Sequence, residues 1–149
     1  MKNNNIIAEP FTGDPIQCTM QPCSKLDISE LCFGENKCLK NAYLSAKNNG
    51  HNMVEGVLLI ISNGEIINAV RHCWNICDSG YYDVTKDFIW EKEEFQKKLK
   101  DGGIYSKPEY LYYSCYEAPI KTYEKDGTIE FKYDYSRLIV SLKNGNAKS

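Results

Sequence analysis

Two tight-turn signals, Ser62-Asn63-Gly64 and Asp78-Ser79-Gly80, cut residues 53–84 into three consecutive extended runs, and this spacing limits what the chain can fold into more than any other feature. The first run, 53–62, is mostly apolar and is interrupted only by Glu55 and Gly56. The second, 65–77, carries Ile66, Val70, His72, Trp74 and Ile76 on one parity and Ile67, Ala69 and Cys73 on the other. Both faces are thus partly apolar, which predicts a central strand covered on each side, with His72 aimed into a covered site. The third run, 81–84, is short, aromatic and β-branched, as a return strand should be. An antiparallel ladder of three strands follows. The Glu55-Gly56 pair is expected to form a bulge where the first strand passes close to the helix before it.

That helix is predicted from residue 37, where Leu39, Ala42, Tyr43 and Ala46 recur at helical spacing, with Lys40, Asn41, Lys47 and Asn48 facing elsewhere. Asn36 is the expected N-cap and Gly50 the stop. Cys38 falls in the first turn, where unpaired backbone N–H groups and the positive end of the helix dipole stabilise a thiolate. Downstream, Thr85 to Asp87 are expected to cap a second helix running to Leu99 and ending at Gly102-Gly103. Residues 111–117 and 120–124 read as a strand bent at Pro119, Asp126-Gly127 as a hairpin turn, and 129–135 as a half-exposed strand. A final strand is expected over 137–142. Residues 1–27, with Pro10, Pro15, Pro22 and Gly13, read as an irregular arm, and 143–149 as a fraying polar tail of a single domain spanning 1–149.

Composition narrows the function classes. The net charge is −2 and the lysines are scattered among acids, so no basic face for nucleic acid is expected. The longest apolar run, 57–61, is far too short to span a bilayer, and the amino terminus carries no signal-peptide pattern, so no membrane association and a soluble, cytoplasmic protein are expected. Seven cysteines, an odd number, argue for free thiols over a disulfide framework. Zinc would need Cys18, Cys23 and Cys32, or Cys73 and Cys77 with His72; neither set has a tight Cys-x-x-Cys pair, so no metal and no cofactor are expected.

A cysteine nucleophile needs a base and a third group that fixes the base's tautomer. The chain has two histidines, His51 in a turn and His72 in a strand. If the second and third runs pair about the Asp78–Gly80 turn, His72 and Asp83 lie on neighbouring strands at similar height, and Cys38, His72 and Asp83 become a candidate catalytic set. The segments Cys38-Leu39-Lys40-Asn41-Ala42, Val54-Glu55-Gly56, His72-Cys73-Trp74-Asn75 and Tyr82-Asp83-Val84-Thr85 resemble the papain-like superfamily in its compact transglutaminase-like form. The likeness covers roughly residues 35 to 90, with the three residue types in that family's order.

The resemblance implies an α+β fold with the nucleophile-bearing helix packed on an antiparallel sheet. It also implies a thiol hydrolase acting on an amide of a protein or peptide substrate, as peptidase, isopeptidase or glutamine deamidase. Where the pattern usually has alanine after histidine this chain has Cys73, a second thiol beside the site. No glutamine stands a few residues ahead of Cys38, Gln17 and Gln21 being more distant, so the Cys38 backbone N–H and Asn36 are the candidate oxyanion donors, with Trp74 and Asn75 as supporting residues. The competing reading keeps the fold without catalysis and uses the tyrosine-rich stretch 110–135 as a protein-binding surface.

Overall fold

A computed structural model of the chain describes residues 9–21, 37–85 and 109–144. The ladder foreseen from the turn signals is its centre: β3 (Asn52–Ser62), β4 (Glu65–Cys77) and β5 (Gly80–Tyr82) are consecutive antiparallel neighbours. Asn63 and Gly64 take φ of 53° and 80°, the pair of left-handed residues that a two-residue hairpin needs to match strand twist. On the far side of β3 lies β6 (Glu109–Ala118), also antiparallel, so β3 and not β4 is the middle of the sheet.

The amino-terminal arm is not irregular throughout. Residues Glu9–Pro10 form β1 and Ile16–Cys18 form β2, and β2 adds to the open edge of β6, giving the order β2-β6-β3-β4-β5. Directly after β2 the chain reaches the opposite edge: Met20 bridges Tyr81, and the Gln21 N–H donates to the Tyr81 carbonyl at 2.6 Å. One short segment therefore touches both edges, and the sheet is curled. Val54, Leu58, Trp74 and Tyr112 are buried inside the curl, with Cys18, Met20, Val70 and Ile76 packed against them.

The outer face of β3 and β4 carries helix α1 (Cys38–Asn49), as expected, but the helix buries a more polar stripe than its apolar spacing predicts. Asn41 and Ser45 are as buried as Ala42 and Ala46. Each has a partner on the sheet side: Asn41 Nδ2 donates to Thr85 Oγ1 at 3.4 Å, and Ser45 Oγ shares a hydrogen bond with the Tyr82 hydroxyl at 3.1 Å. Asn75 on β4 completes the attachment, its Nδ2 bonding the Ala42 carbonyl at 2.8 Å and the Asn52 carbonyl at 3.2 Å. Buried polar groups are tolerated because they are paired, and here the pairing fixes where α1 lies on the sheet. Gly50, at φ 72°, ends the helix as expected.

The carboxy-terminal half departs further from expectation. Residues 120–122 form a 3-10 turn after Pro119, not a strand. The half-exposed strand over 129–135 is broken into β8 (Thr128–Ile129), which pairs with β7 (Glu124–Lys125), and β9 (Tyr133–Asp134), which pairs in parallel with β1. The cause is Glu55. Its fully buried carboxylate accepts the backbone N–H groups of Lys132 (3.1 and 3.2 Å) and Tyr133 (3.1 Å), which removes them from any ladder. Residues 137–142 are helical, within α2 (Ser136–Lys143), because Asp134 Oδ1 takes the Ser136 N–H at 2.9 Å and starts a turn. Leu138, Ile139 and Leu142 then pack on Val57, Leu59 and Ala69. The α+β class stands, as a mixed fold with a curled antiparallel sheet. No helix among the described residues is long and apolar enough to cross a membrane. The expected helix through Leu99 lies outside the described residues.

Burial raises the Glu55 pKa, which its backbone donors and the nearby hydroxyls of Tyr135 and Tyr123 only partly oppose. Those hydroxyls are buried and near the carboxylate without reaching hydrogen-bond geometry. Because the folded state holds this proton more tightly than the unfolded chain, the group's contribution to stability falls as pH rises from the unfolded glutamate value through the raised folded one. Glu55→Ala orphans two backbone donors and is expected to cost about 3 kcal/mol in urea denaturation. It is also expected to flatten that pH slope and to speed hydrogen exchange at Lys132 and Tyr133.

Candidate active site

The site forms where β5 stops. In a hairpin closed by a two-residue turn, every second residue counted back from the turn exchanges backbone hydrogen bonds with its partner, here Cys77 with Gly80 and Asn75 with Tyr82. The next such residue on β4 is Cys73, but β5 ends at Tyr82, so among the described residues no β5 partner faces it. Helix α1 lies against β4 here, and the Cys38 side chain at its start packs on the buried cluster that contains Cys73.

His72 belongs to the opposite face of β4, inside the curl, and is almost wholly buried. Its ring stacks on Trp74, centroids 5.9 Å apart at 27°. Nε2 lies 2.7 Å from Asp83 Oδ2. The other ring nitrogen is left free for Cys38, which lies close enough for each group to shift the other's pKa toward the charged form. Asp83 is the first residue beyond β5 and does two jobs at once. Its Oδ1 accepts the Thr85 N–H at 3.0 Å, an Asx-type turn, while Oδ2 takes both His72 and the Tyr112 hydroxyl, the latter at 2.6 Å. The turn-capping role that aspartate often plays is what aims the second oxygen at the histidine.

The electrostatics follow from burial and pairing. For Cys38, burial pushes the thiol pKa up, but the hydrogen bond and charge of His72 and the Cys73 N–H outweigh it, so the net shift is downward. For His72, burial disfavours the cation, and the Asp83 carboxylate and the Cys38 sulfur more than offset that, so the imidazole pKa is raised. The two shifts agree in sense: each favours the charged form, thiolate on one side and imidazolium on the other, beside a carboxylate. Helix α1 adds to it, since no side chain caps its first turn and no acidic residue lies there to cancel the dipole.

Cys73 does not compete for the nucleophile's role. It is 1 % exposed, and burial with the like charges of Cys38, Glu55 and Asp83 raises its pKa well above the usual thiol range. Cys18 and Cys115 are pushed up to about 12, chiefly by burial. The parity argument that set His72 and Cys73 on opposite faces therefore holds, with His72 inside the curl and Cys73 under the helix.

The remaining candidates divide. Trp74 is buried beside His72 and shields the His72–Asp83 bond from water. Asn75 sits under α1, where its amide holds the helix to β4 through the Ala42 and Asn52 carbonyls. The helix begins with Lys37 in the cap position expected of Asn36, and Asn36 lies outside the described residues. Gln21 lies against Gly80 at the far end of β5. Among the described residues no group of three or more His, Cys, Asp or Glu side chains is placed to hold a metal.

Tyr112 was not singled out by sequence, since it comes from β6, two strands from β4, and only the curl brings its hydroxyl to Asp83. Tyr112→Phe removes one hydrogen bond to a buried carboxylate and is expected to cost about 2 kcal/mol in chemical denaturation while leaving the His72 and Thr85 contacts of Asp83 in place. Of the seven tyrosines of the 110–135 stretch, Tyr112, Tyr123 and Tyr135 are among the largest fully or almost fully buried side chains, and Tyr110, Tyr113, Tyr116 and Tyr133 are half-buried. Compared with known proteins, the chain matches no family model, no curated protein and no solved structure, and the site is read from its own geometry.

Proposed function

We propose that the protein is a cysteine-dependent acyl-transfer enzyme of papain-like, transglutaminase-like architecture, acting on an amide of a protein or peptide. The observation that carries this reading is the relay from Asp83 through His72 to Cys38, with a 2.7 Å carboxylate–imidazole contact buried from water and the thiol at a helix start. The Cys38 thiolate attacks the amide carbonyl carbon. His72, already protonated, gives its proton to the departing amine, and the acyl group remains on sulfur as a thioester. Water then attacks the thioester, with His72 taking a proton from it, and the carboxylic acid leaves. Asp83 keeps Nε2 bonded throughout, so that the other ring nitrogen faces sulfur and substrate. The Cys38 N–H, directed out of the uncapped first turn, is the donor proposed for the oxyanion.

The distinguishing test is the covalent intermediate. After incubation with an activated amide or ester and an acid quench, an acyl adduct is expected on Cys38 by peptide mass mapping. It should be lost to hydroxylamine and absent in Cys38→Ser. If no acyl adduct forms on Cys38 with any activated acyl donor while other thiols acylate, the enzyme reading fails.

A further inference from the structure

We propose that Cys73 is a resolving thiol for Cys38, so that peroxide oxidation of the site ends in a reversible Cys38–Cys73 disulfide instead of an irreversibly oxidised nucleophile. The geometry is that of a helix start laid over a strand: α1 packs against β4, and the Cys38 side chain packs on the buried cluster that contains Cys73. The Cys73 side chain lies on the helix-facing side of β4, in the cluster with Ala42, Ala46 and Met53 against which Cys38 itself packs. The two thiols differ in a way that suits an ordered reaction. Cys38 is half-buried and open to a small oxidant, whereas Cys73 is 1 % exposed and is not.

The chemistry balances with a hydroperoxide as the oxidant. The Cys38 thiolate attacks the terminal oxygen of the hydroperoxide; an S–O bond forms as the O–O bond breaks, sulfur is oxidised by two electrons to a sulfenic acid, and the His72 proton goes to the departing alkoxide or hydroxide to give an alcohol or water. Cys73 then attacks the Cys38 sulfur. The S–S bond forms, the S–O bond breaks, and the hydroxyl leaves as water with the proton that Cys73 gives up. Burial is the main cause that holds Cys73 protonated, and loss of the Cys38 negative charge in the first step removes the next of them.

This inference rests on Cys38 being the reactive thiolate of the proposed function, and the test separates the two. The fully reduced chain is first labelled with limiting iodoacetamide to show selectivity for Cys38. A second portion receives about one equivalent of hydrogen peroxide and is mapped after trypsin, with fragment spectra that distinguish Cys73 from Cys77, since both fall on one peptide. A Cys38–Cys73 link is expected, with Cys38 alkylation falling at least about tenfold and returning with dithiothreitol. Cys73→Ala, which keeps the backbone N–H, should instead yield sulfinic and sulfonic acid at Cys38 that dithiothreitol does not reverse. Selective labelling of Cys38 followed by over-oxidation in the unaltered chain, or a link to Cys77, overturns the resolving role alone. Absence of selectivity for Cys38 overturns both readings.

Discussion

His72→Ala is expected to slow alkylation of Cys38 at neutral pH by roughly tenfold to a hundredfold, because an unassisted thiol is only a few per cent thiolate there. The pH profile is the stronger readout. In the unaltered chain the lowered Cys38 pKa and raised His72 pKa both favour the ion pair, so labelling should set in at lower pH than that of an ordinary thiol and fall on the acid side. Without His72 the sulfur retains burial, which raises its pKa, and loses the largest opposing influence. Labelling should then climb with pH like that of an ordinary or hindered thiol, approaching its plateau only above about pH 8.5. A variant whose rate and profile match the parent would show that His72 does not activate Cys38, and the catalytic reading would go with it. The same pair bears on stability with a definite sign. A histidine whose folded pKa is raised stabilises fully below its unfolded value and loses that contribution as pH rises toward the folded value of about 10. Alkaline unfolding should therefore be less steep in His72→Ala.

What the sequence made legible was local. The Asn63-Gly64 and Asp126-Gly127 turns, the parity of His72 against Cys73, and the first-turn placement of Cys38 all follow from dihedral preference and periodicity over a few residues, and all appear in the fold. What was not legible depended on long-range closure. Gln21 reaches Tyr81, and Tyr112 reaches Asp83, only because the sheet curls, and no spacing rule encodes a curl. The misread carboxy-terminal segment has the same origin. Ile129, Phe131, Tyr133 and Tyr135 alternate as a strand should, yet Glu55, more than seventy residues away in sequence, takes the N–H groups that a strand would have paired. The buried face of α1 is a third case, since Asn41 reads as facing away from the apolar stripe until its partner in the turn after β5 is known.

Gly56→Ala is expected to be the most damaging small substitution in the sheet, costing about 3 kcal/mol or more and lowering the melting temperature by about 10 °C. Glycine ordinarily weakens a strand, so its presence in the middle of β3 needs a cause. The cause is close approach on two sides. A β-carbon at Gly56 would lie 2.0 Å from the Tyr113 carbonyl oxygen, a backbone atom, and 3.0 Å from the Trp74 ring. Relief would require β6 to move away, at the point where the register shifts between Glu55 and Gly56 and Cys115 is left as the extra residue. The bulge foreseen at Glu55-Gly56 is there, but it faces β6 and the Trp74 ring, not the helix. The same displacement would push Trp74 against His72, its stacking partner, so Cys38 labelling should slow along with the loss of stability. Gly64→Ala supplies the contrast. That residue has φ of 80° with nothing within 4 Å, so alanine there meets backbone strain alone and should cost only about 1 kcal/mol, with Cys38 labelling unchanged. Equal losses in the two variants would mean that conformational freedom, not the space between Tyr113 and Trp74, fixes glycine at position 56.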